Sequence, residues 1–466
     1  MVSLFAKTGW ECKNFMFELL EYKSIIDRLN KGESADRQSA LIQVAGLIEK
    51  QKITRVANEE VNNHVHTTFS FSPYSPSGAA FAAWKDGLQA VGLMDHDSIS
   101  GAEEMLEACK LMGIASTIGF EIRVNLSGTS VEGLRTNNPD SKNISYITVQ
   151  GVPAGKFKEV EKFIKPVNTE RNIRNRKEVD NLNKLISVHG IEKIDFEKEV
   201  LGQSMSAFGG SVTERHILAA LSEKLISKFG KGESVVNFLE SKFNIPLSSI
   251  IKGFLLDKEN PHYLYDLLGT MKGDFLLEFF IQPNETECLP VRKVVGFANS
   301  IGAIPAYSYL GDVAESPTGD KKAQAFEDSF LDKLMEEVKK IGFKAVTYMP
   351  PRNTRKQLDR IQALCKKHNF MEISGVDINS SRQIFNCPPI LEEKNRHLID
   401  STWALIAHEK LTGKDKNLSL FSTNNPIANF SLQERISFYN IIGREIDKKN
   451  PEKLEAQIKK VYEYGN

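Results

Sequence analysis

The chain has 466 residues, enough for two ordinary domains or for one barrel with insertions. Hydrophobic residues make up 41%, and Lys+Arg and Asp+Glu each number 60. That zero balance excludes a general electrostatic pull toward nucleic acid or membrane and leaves only local patches.

Residues 13–52 read as two polar helices. "NFMFELLEYKSIIDRLN" spaces Phe15, Leu19, Ile25 and Leu29 helically, and "SADRQSALIQVAGLIEK" follows a Gly-containing break. They form an N-terminal extension over 1–57. From residue 61 strands and helices alternate: "VNNHVH" is a strand, "SGAAFAAWKDGLQA" a helix and "AVGLMD" a strand. "SGAEEMLEACKLMG" is an amphipathic helix with Ala102, Met105, Ala108, Cys109 and Met112 inward, and "IASTIGFEIRV" is the next strand. Residues 155–270 are charged and mostly helical, an insertion between a first barrel part (58–154) and a second (271–385). In the second part helix "PVRKVVGFANSIG", strand "AIPAYSY", helix "FEDSFLDKLMEEVKKIG", strand "KAVTYM", helix "TRKQLDRIQALCKKHN" and strand "MEISGVD" follow in turn. This rhythm implies parallel βα units. Residues 386–466 read as a polar helical tail. The five cysteines (Cys12, Cys109, Cys288, Cys365, Cys387) are scattered, with no C-x-x-C, and are expected as reduced thiols of a cytoplasmic protein. Neither a signal peptide nor a membrane span is expected, because no stretch approaches 18 uninterrupted apolar residues.

Histidines and acids recur at the ends of four of these strands. His64 and His66 flank Val65, so in a strand they share a face. "MDHDS" supplies Asp95, His96 and Asp97, "GFEIR" supplies Glu121, and "GVDIN" supplies Asp377 and Asn379. In a parallel βα architecture such strand ends converge on one rim. Singly, each has a plain alternative: Asp97 as a helix cap, Glu121 as a surface acid. Together they point to a metal site, since packing alone favours apolar residues there. Mixed histidine and carboxylate donors suit Zn, Mn or Fe better than Mg or Ca.

"HVHTTFS", "GLMDHDSISGAEE" and "IGFEIRV" resemble the first motifs of the PHP (polymerase and histidinol phosphatase) domain family, and "SGVDINSSRQ" resembles its closing "D-x-H". The resemblance implies an α/β fold, a distorted (β/α)7-type barrel with divalent metals at the C-terminal rim, and phosphoester hydrolysis. The departures are specific. Phe71 follows Ser70 where the family often has an acid. "ISYITVQG" ends without a histidine. Tyr307 stands where an "A-H-P" histidine is typical, and Asn379 replaces the closing histidine. The implied ligands are His64, His66, Glu121 and Asp377 for one ion, with Asn379 at the closing position. A second ion lies near His96, bridged by Glu121. Asp95 or Asp97 is placed to orient a ligand histidine.

His216, in "GGSVTERHILAAL", resembles an R-H element placed over the site in some relatives, or is a helix-start histidine. Arg352 and Arg382 are candidates to fork onto a phosphate, or are capping arginines. "RNIRNRK" (171–177) reads as a solvated helix face rather than a nucleic-acid contact, and His408 as a buried structural histidine. The expected activity is metal-dependent hydrolysis of a small phosphate monoester or a nucleotide phosphoester. Glu121, Asp97, His216 and Tyr307 are its candidate catalytic residues, and one or two divalent ions its cofactors. The alternative is a degenerate domain that binds metal or ligand without turnover.

Overall fold

The computed structural model describes residues 22–313 and 324–465; Cys12, and Phe15 and Leu19 of the expected first helix, lie outside them. Ile25 and Leu29 of that helix are buried. Helix α1 (Ser34–Glu49) is followed by β1 (Val61–Val65), α2 (Pro76–Lys85), β2 (Ala90–His96), α3 (Ala102–Met112), β3 (Ala115–Asn125) and β4 (Ile144–Gln150). The local signals are conventional. Ser75 caps α2 by accepting from the Gly78 amide, with Pro76 at the first helical position, and Gly113 ends α3 at φ +66.

The insertion comprises α4 (Phe157–Ser187), α5 (Glu214–Phe229), α6 (Glu233–Lys242), α7 (Ser249–Leu256) and α8 (Tyr263–Asp274). The chain then returns as β5 (Leu289–Pro290), α9 (Val291–Ser300), β6 (Ile304–Ser308), α10 (Leu331–Ile341), β7 (Ala345–Tyr348), α11 (Arg355–His368) and β8 (Met371–Ser374). Helices α12 (His397–Lys414), α13 (Leu432–Glu445) and α14 (Glu455–Gly465) complete it.

One sheet runs in the order β1-β2-β3-β4-β6-β7-β8, with short β5 added to β3. Past β8 the chain reaches back to β1 through a parallel bridge between Val65 and Ile378, so the sheet closes almost fully into a barrel. The fold is therefore α/β: a nearly closed barrel, a helical insertion, and helical segments at both ends. The expectation of uniformly parallel units needs correction at β4, which is antiparallel to both β3 and β6. Its C-terminal Gln150 consequently lies away from the His96–Glu121 level, and its N-terminal Tyr146 sits near the rim instead. Periodicity reports which residues face inward, not strand direction.

The 31-residue helix α4 belongs to two cores. Phe157, Val160, Ile164 and Val167 pack into the barrel core, whereas Val179, Leu182 and Ile186 pack into a separate core shared with α5, α6 and α8. The segment 386–466, expected as a polar tail, forms a wall. Ala404, Leu405, Ala407 and Leu411 of α12 pack with Ile304, Ala306, Met371 and Ile373 of the sheet and with Tyr439 and Ile442 of α13. Averaging over the segment hides the apolar run in "WALIAHEKL".

His408 lies on α12 with no exposed surface, and its Nδ1 accepts from the Leu420 amide at 3.1 Å. Burial pushes it down to about 4, so the folded state holds it neutral while the unfolded chain protonates near 6.5. The sign follows: its contribution is complete above 6.5 and is lost as pH falls toward 4. Replacing His408 by asparagine keeps an acceptor but removes the titration. The stability difference between wild type and variant is expected to shift by about 3 kcal/mol between pH 7 and pH 4. Parallel urea unfolding curves at the two pH values would contradict this if the difference stayed constant.

Candidate metal centre

The seam of the barrel places the first ligand pair. The Ile378 amide donates to the His64 carbonyl at 3.1 Å, and the His66 amide donates to the Ile378 carbonyl at 3.0 Å. Asp377 is thereby set against the two histidines, and its Oδ1 lies 3.2 Å from His66 Nε2. His96 ends β2 in direct register with Glu121 on β3, and His96 Nδ1 approaches Glu121 Oε2 to 2.9 Å. The same oxygen is 3.9 Å from the Nε2 atoms of both His64 and His66.

Two overlapping donor groups result, one of His64, His66 and Asp377, the other of His66, His96 and Glu121. Within each group the donor atoms lie inside 4.8 Å of one another. With metal–ligand bonds of about 2.0–2.2 Å, two donors on one ion stand up to about 4.4 Å apart, so these groups fit divalent ions with little adjustment. His66 Nε2 is buried and makes no sound hydrogen bond despite Asp377 beside it, as expected of an atom reserved for another partner.

The electrostatics agree with such a role. Burial raises the Asp377 carboxyl, but His66, His64 and Arg215 outweigh it and hold the group well below the usual carboxylate range. Burial would lower His66, yet Asp377, Glu121 and Asp95 carry it above its ordinary value. Burial keeps His64 low and His96 well below the ordinary value, leaving both neutral and able to ligate. Glu121 is raised by burial, against the charges of His64, His66 and Lys272.

Behind the ligands, Asp95 accepts from the Thr67 amide, Thr67 Oγ1 and Ser70 Oγ, each at 2.6 Å. Ser70 Oγ lies 3.3 Å from His66 Nδ1. Asp95 thus orients His66 through Ser70 and leaves Nε2 toward the site. Asp97 points elsewhere. Its backbone has φ +44, its amide donates to the Glu121 carbonyl at 2.8 Å, and its Oδ2 is paired with Arg171.

The remaining sequence-derived candidates lie outside the two donor groups. Asn379 Nδ2 donates to Asp377 Oδ1 at 2.7 Å, steadying that acid. His216 Nδ1 accepts from the Thr213 amide at 3.0 Å in the capping box of α5, and burial pushes it down to about 4. Tyr307 is buried in the barrel core, edge-on to Phe343. Arg352 Nε lies 3.4 Å from the Leu310 carbonyl. Arg382 grips both carboxylate oxygens of Asp266, at 2.9 and 2.6 Å, and stacks over Phe254.

Of the basic residues in the run 171–177, only Arg176 and Lys177 lie on a solvated face. Arg171 and Arg174 are buried, one helical turn apart, and meet Glu287, which also receives Arg123 of β3. Arg174 further pairs with Glu178 and Glu214. Burial pushes Glu178 up to about 7 despite Arg174. The acids come from distant sequence, so the run alone carried no sign of them. Sequence reasoning also passed over Arg215 and Lys272. Arg215 acts on Asp377 and Lys272 on Glu121, so both insertion cations stand within charge range of the ligands. Arg215 was legible as the arginine of the R-H element; Lys272, in "TMKGD", carried no signal.

Residues 62–238 match the model of the PHP domain. Over 68 residues the chain is 35% identical to a 5'-3' exoribonuclease of Haemophilus influenzae, a stretch covering 15% of this chain. The chain spans 25% of that relative's length. A candidate metal-dependent phosphoesterase of Bifidobacterium adolescentis superposes with a TM-score of 0.46 at 14% identity, covering 73% of this chain and 96% of that one. An amidohydrolase of Chromobacterium violaceum gives 0.45 at 13% identity, covering 72% and 96%. With its motifs at the strand ends of a nearly closed barrel, the stretch 62–238 of this chain is similar to the PHP domain.

Proposed function

We propose that this chain is a metal-dependent phosphoesterase that hydrolyses a small phosphate monoester or a nucleotide phosphoester. The observation that carries the reading is the gathering of His64, His66, His96, Glu121 and Asp377 around one point at the barrel rim, the first two and Glu121 buried, His96 and Asp377 half-buried. One or two ions of Zn, Mn or Fe suit that donor set. When bound, such an ion neutralises phosphate oxygens and acidifies water. The protein's part is placement. Asp95 and Ser70 fix the orientation of His66, Asn379 steadies Asp377, and Glu121 reaches toward all three histidines. Arg215 and Lys272 add positive charge within range of Asp377 and Glu121 and suit the phosphate role better than Arg382, whose guanidinium is committed to Asp266. Water attacks phosphorus, the ester P–O bond breaks, and the leaving alcohol departs with a proton.

The test is a screen of phosphomonoesters and nucleotides with Mn or Zn supplied, run on wild type and on His64→Ala/His66→Ala. Wild type is expected to hold metal and turn over at least one ester, and the double variant to lose both. Metal content equal in the two proteins would remove the site. Bound metal without turnover of any ester would favour the second reading, a binding module, which the burial of Tyr307 in the core supports because it brings no donor to the rim.

A further inference from the structure

Phe71 adopts φ +100, a left-handed backbone that a bulky side chain rarely occupies and that costs about 1–3 kcal/mol. It directly follows Ser70, the residue that bridges Asp95 and His66. Its half-buried ring meets His216 edge-on at 4.9 Å and Tyr265 at 5.7 Å. Tyr265 is also half-buried and lies within charge range of Arg215, which acts in turn on Asp377. Two partly exposed rings therefore stand at the junction of insertion and barrel, beside Ser70 and His216. Both pack on the edge of the insertion core. A leucine at an ordinary backbone position would also fill the edge of the insertion core, without the strain.

We propose that Phe71, backed by Tyr265, is the platform on which an aromatic group of the substrate stacks while its phosphate lies at the metal centre. The substrate class is then a phosphoester of a nucleoside or another aromatic alcohol. The proposal rests on the phosphoesterase reading and names its leaving group. Stacking on an aromatic side chain is tolerant of ring identity and is worth enough to dominate selection among small esters.

The experiment compares kcat/KM for adenosine 5'-monophosphate, 4-nitrophenyl phosphate and glycerol 3-phosphate, with Mn supplied, in wild type, Phe71→Leu and Phe71→Tyr. Wild type is expected to prefer the two aromatic esters. Phe71→Leu should reduce the aromatic-to-glycerol ratio by about tenfold, chiefly through KM, and Phe71→Tyr should keep it. A ratio that falls for adenylate alone identifies a nucleoside, and one that falls for both identifies any aromatic ring. A ratio unchanged in Phe71→Leu overturns the platform. Should no ester be turned over, the phosphoesterase reading falls, and calorimetric titration with adenosine 5'-monophosphate decides the rest. Weaker binding by Phe71→Leu would sustain the platform, and equal or absent binding would end it.

Discussion

Glu121→Gln is expected to lower phosphoesterase turnover by at least about 100-fold while leaving the fold intact. The side chain keeps its shape and loses only its charge. That charge stands 2.9 Å from His96 Nδ1 and 3.9 Å from both His64 and His66, and among the described residues no other acid pairs with all three histidines at this range. Because the group is buried, water cannot substitute for the missing charge. Metal content should fall together with rate, and elemental analysis alongside steady-state kinetics reads both. Tyr307→Phe serves as the contrast: its ring belongs to the barrel core, so the variant should stay within a few-fold of wild type. A common residual rate in wild type and Glu121→Gln would mean that the rate does not arise at this centre.

Arg171→Met is expected to destabilise the protein by about 3–5 kcal/mol, the range found when one partner of a buried ion pair is removed. Arg171 is 2% exposed and serves two acids, Asp97 on the barrel rim and Glu287 ahead of β5. Its removal strands Asp97 beside the ligand His96. The loss should appear as a lowered urea midpoint, and metal titration should show weaker binding as the end of β2 loosens. Adding Asp97→Asn should recover part of the stability, since residue 97 then holds no charge to leave buried beside the missing guanidinium; the double-mutant cycle isolates that coupling. A midpoint within 1 kcal/mol of wild type would mean that the buried pair contributes nothing.

The clustering of the candidate donors was legible because a barrel brings side chains to its rim at strand ends, and His64, His66, His96, Glu121 and Asp377 all stand at or near such ends in the sequence. What surrounds them was harder to read. Asp95 and Asp97 flank the same histidine, and only the turn at φ +44 decides that one supports His66 while the other faces α4. The arginines of 171–177 looked solvated because their acids arrive from Glu214 and Glu287. The direction of β4 was hidden for a different reason, since an antiparallel strand buries the same alternate residues as a parallel one.

The thin seam of the barrel has a consequence for assembly. Where β1 meets the chain beyond β8, partners such as Asn62 and Val376 are 314 positions apart. Closing so long a loop is entropically expensive, and few bonds hold it once closed. The donors His66 and Asp377 face one another across that join. A nascent chain therefore owns the His66–His96–Glu121 group once β1, β2 and β3 pair, but gains the His64–His66–Asp377 group only when its last strand docks, and a cation held by that second group would act as a clasp. Occupancy draws the closed form out of any equilibrium with a gaping one by mass action. The seam-crossing donor group and completion of the fold thus arrive in the same event.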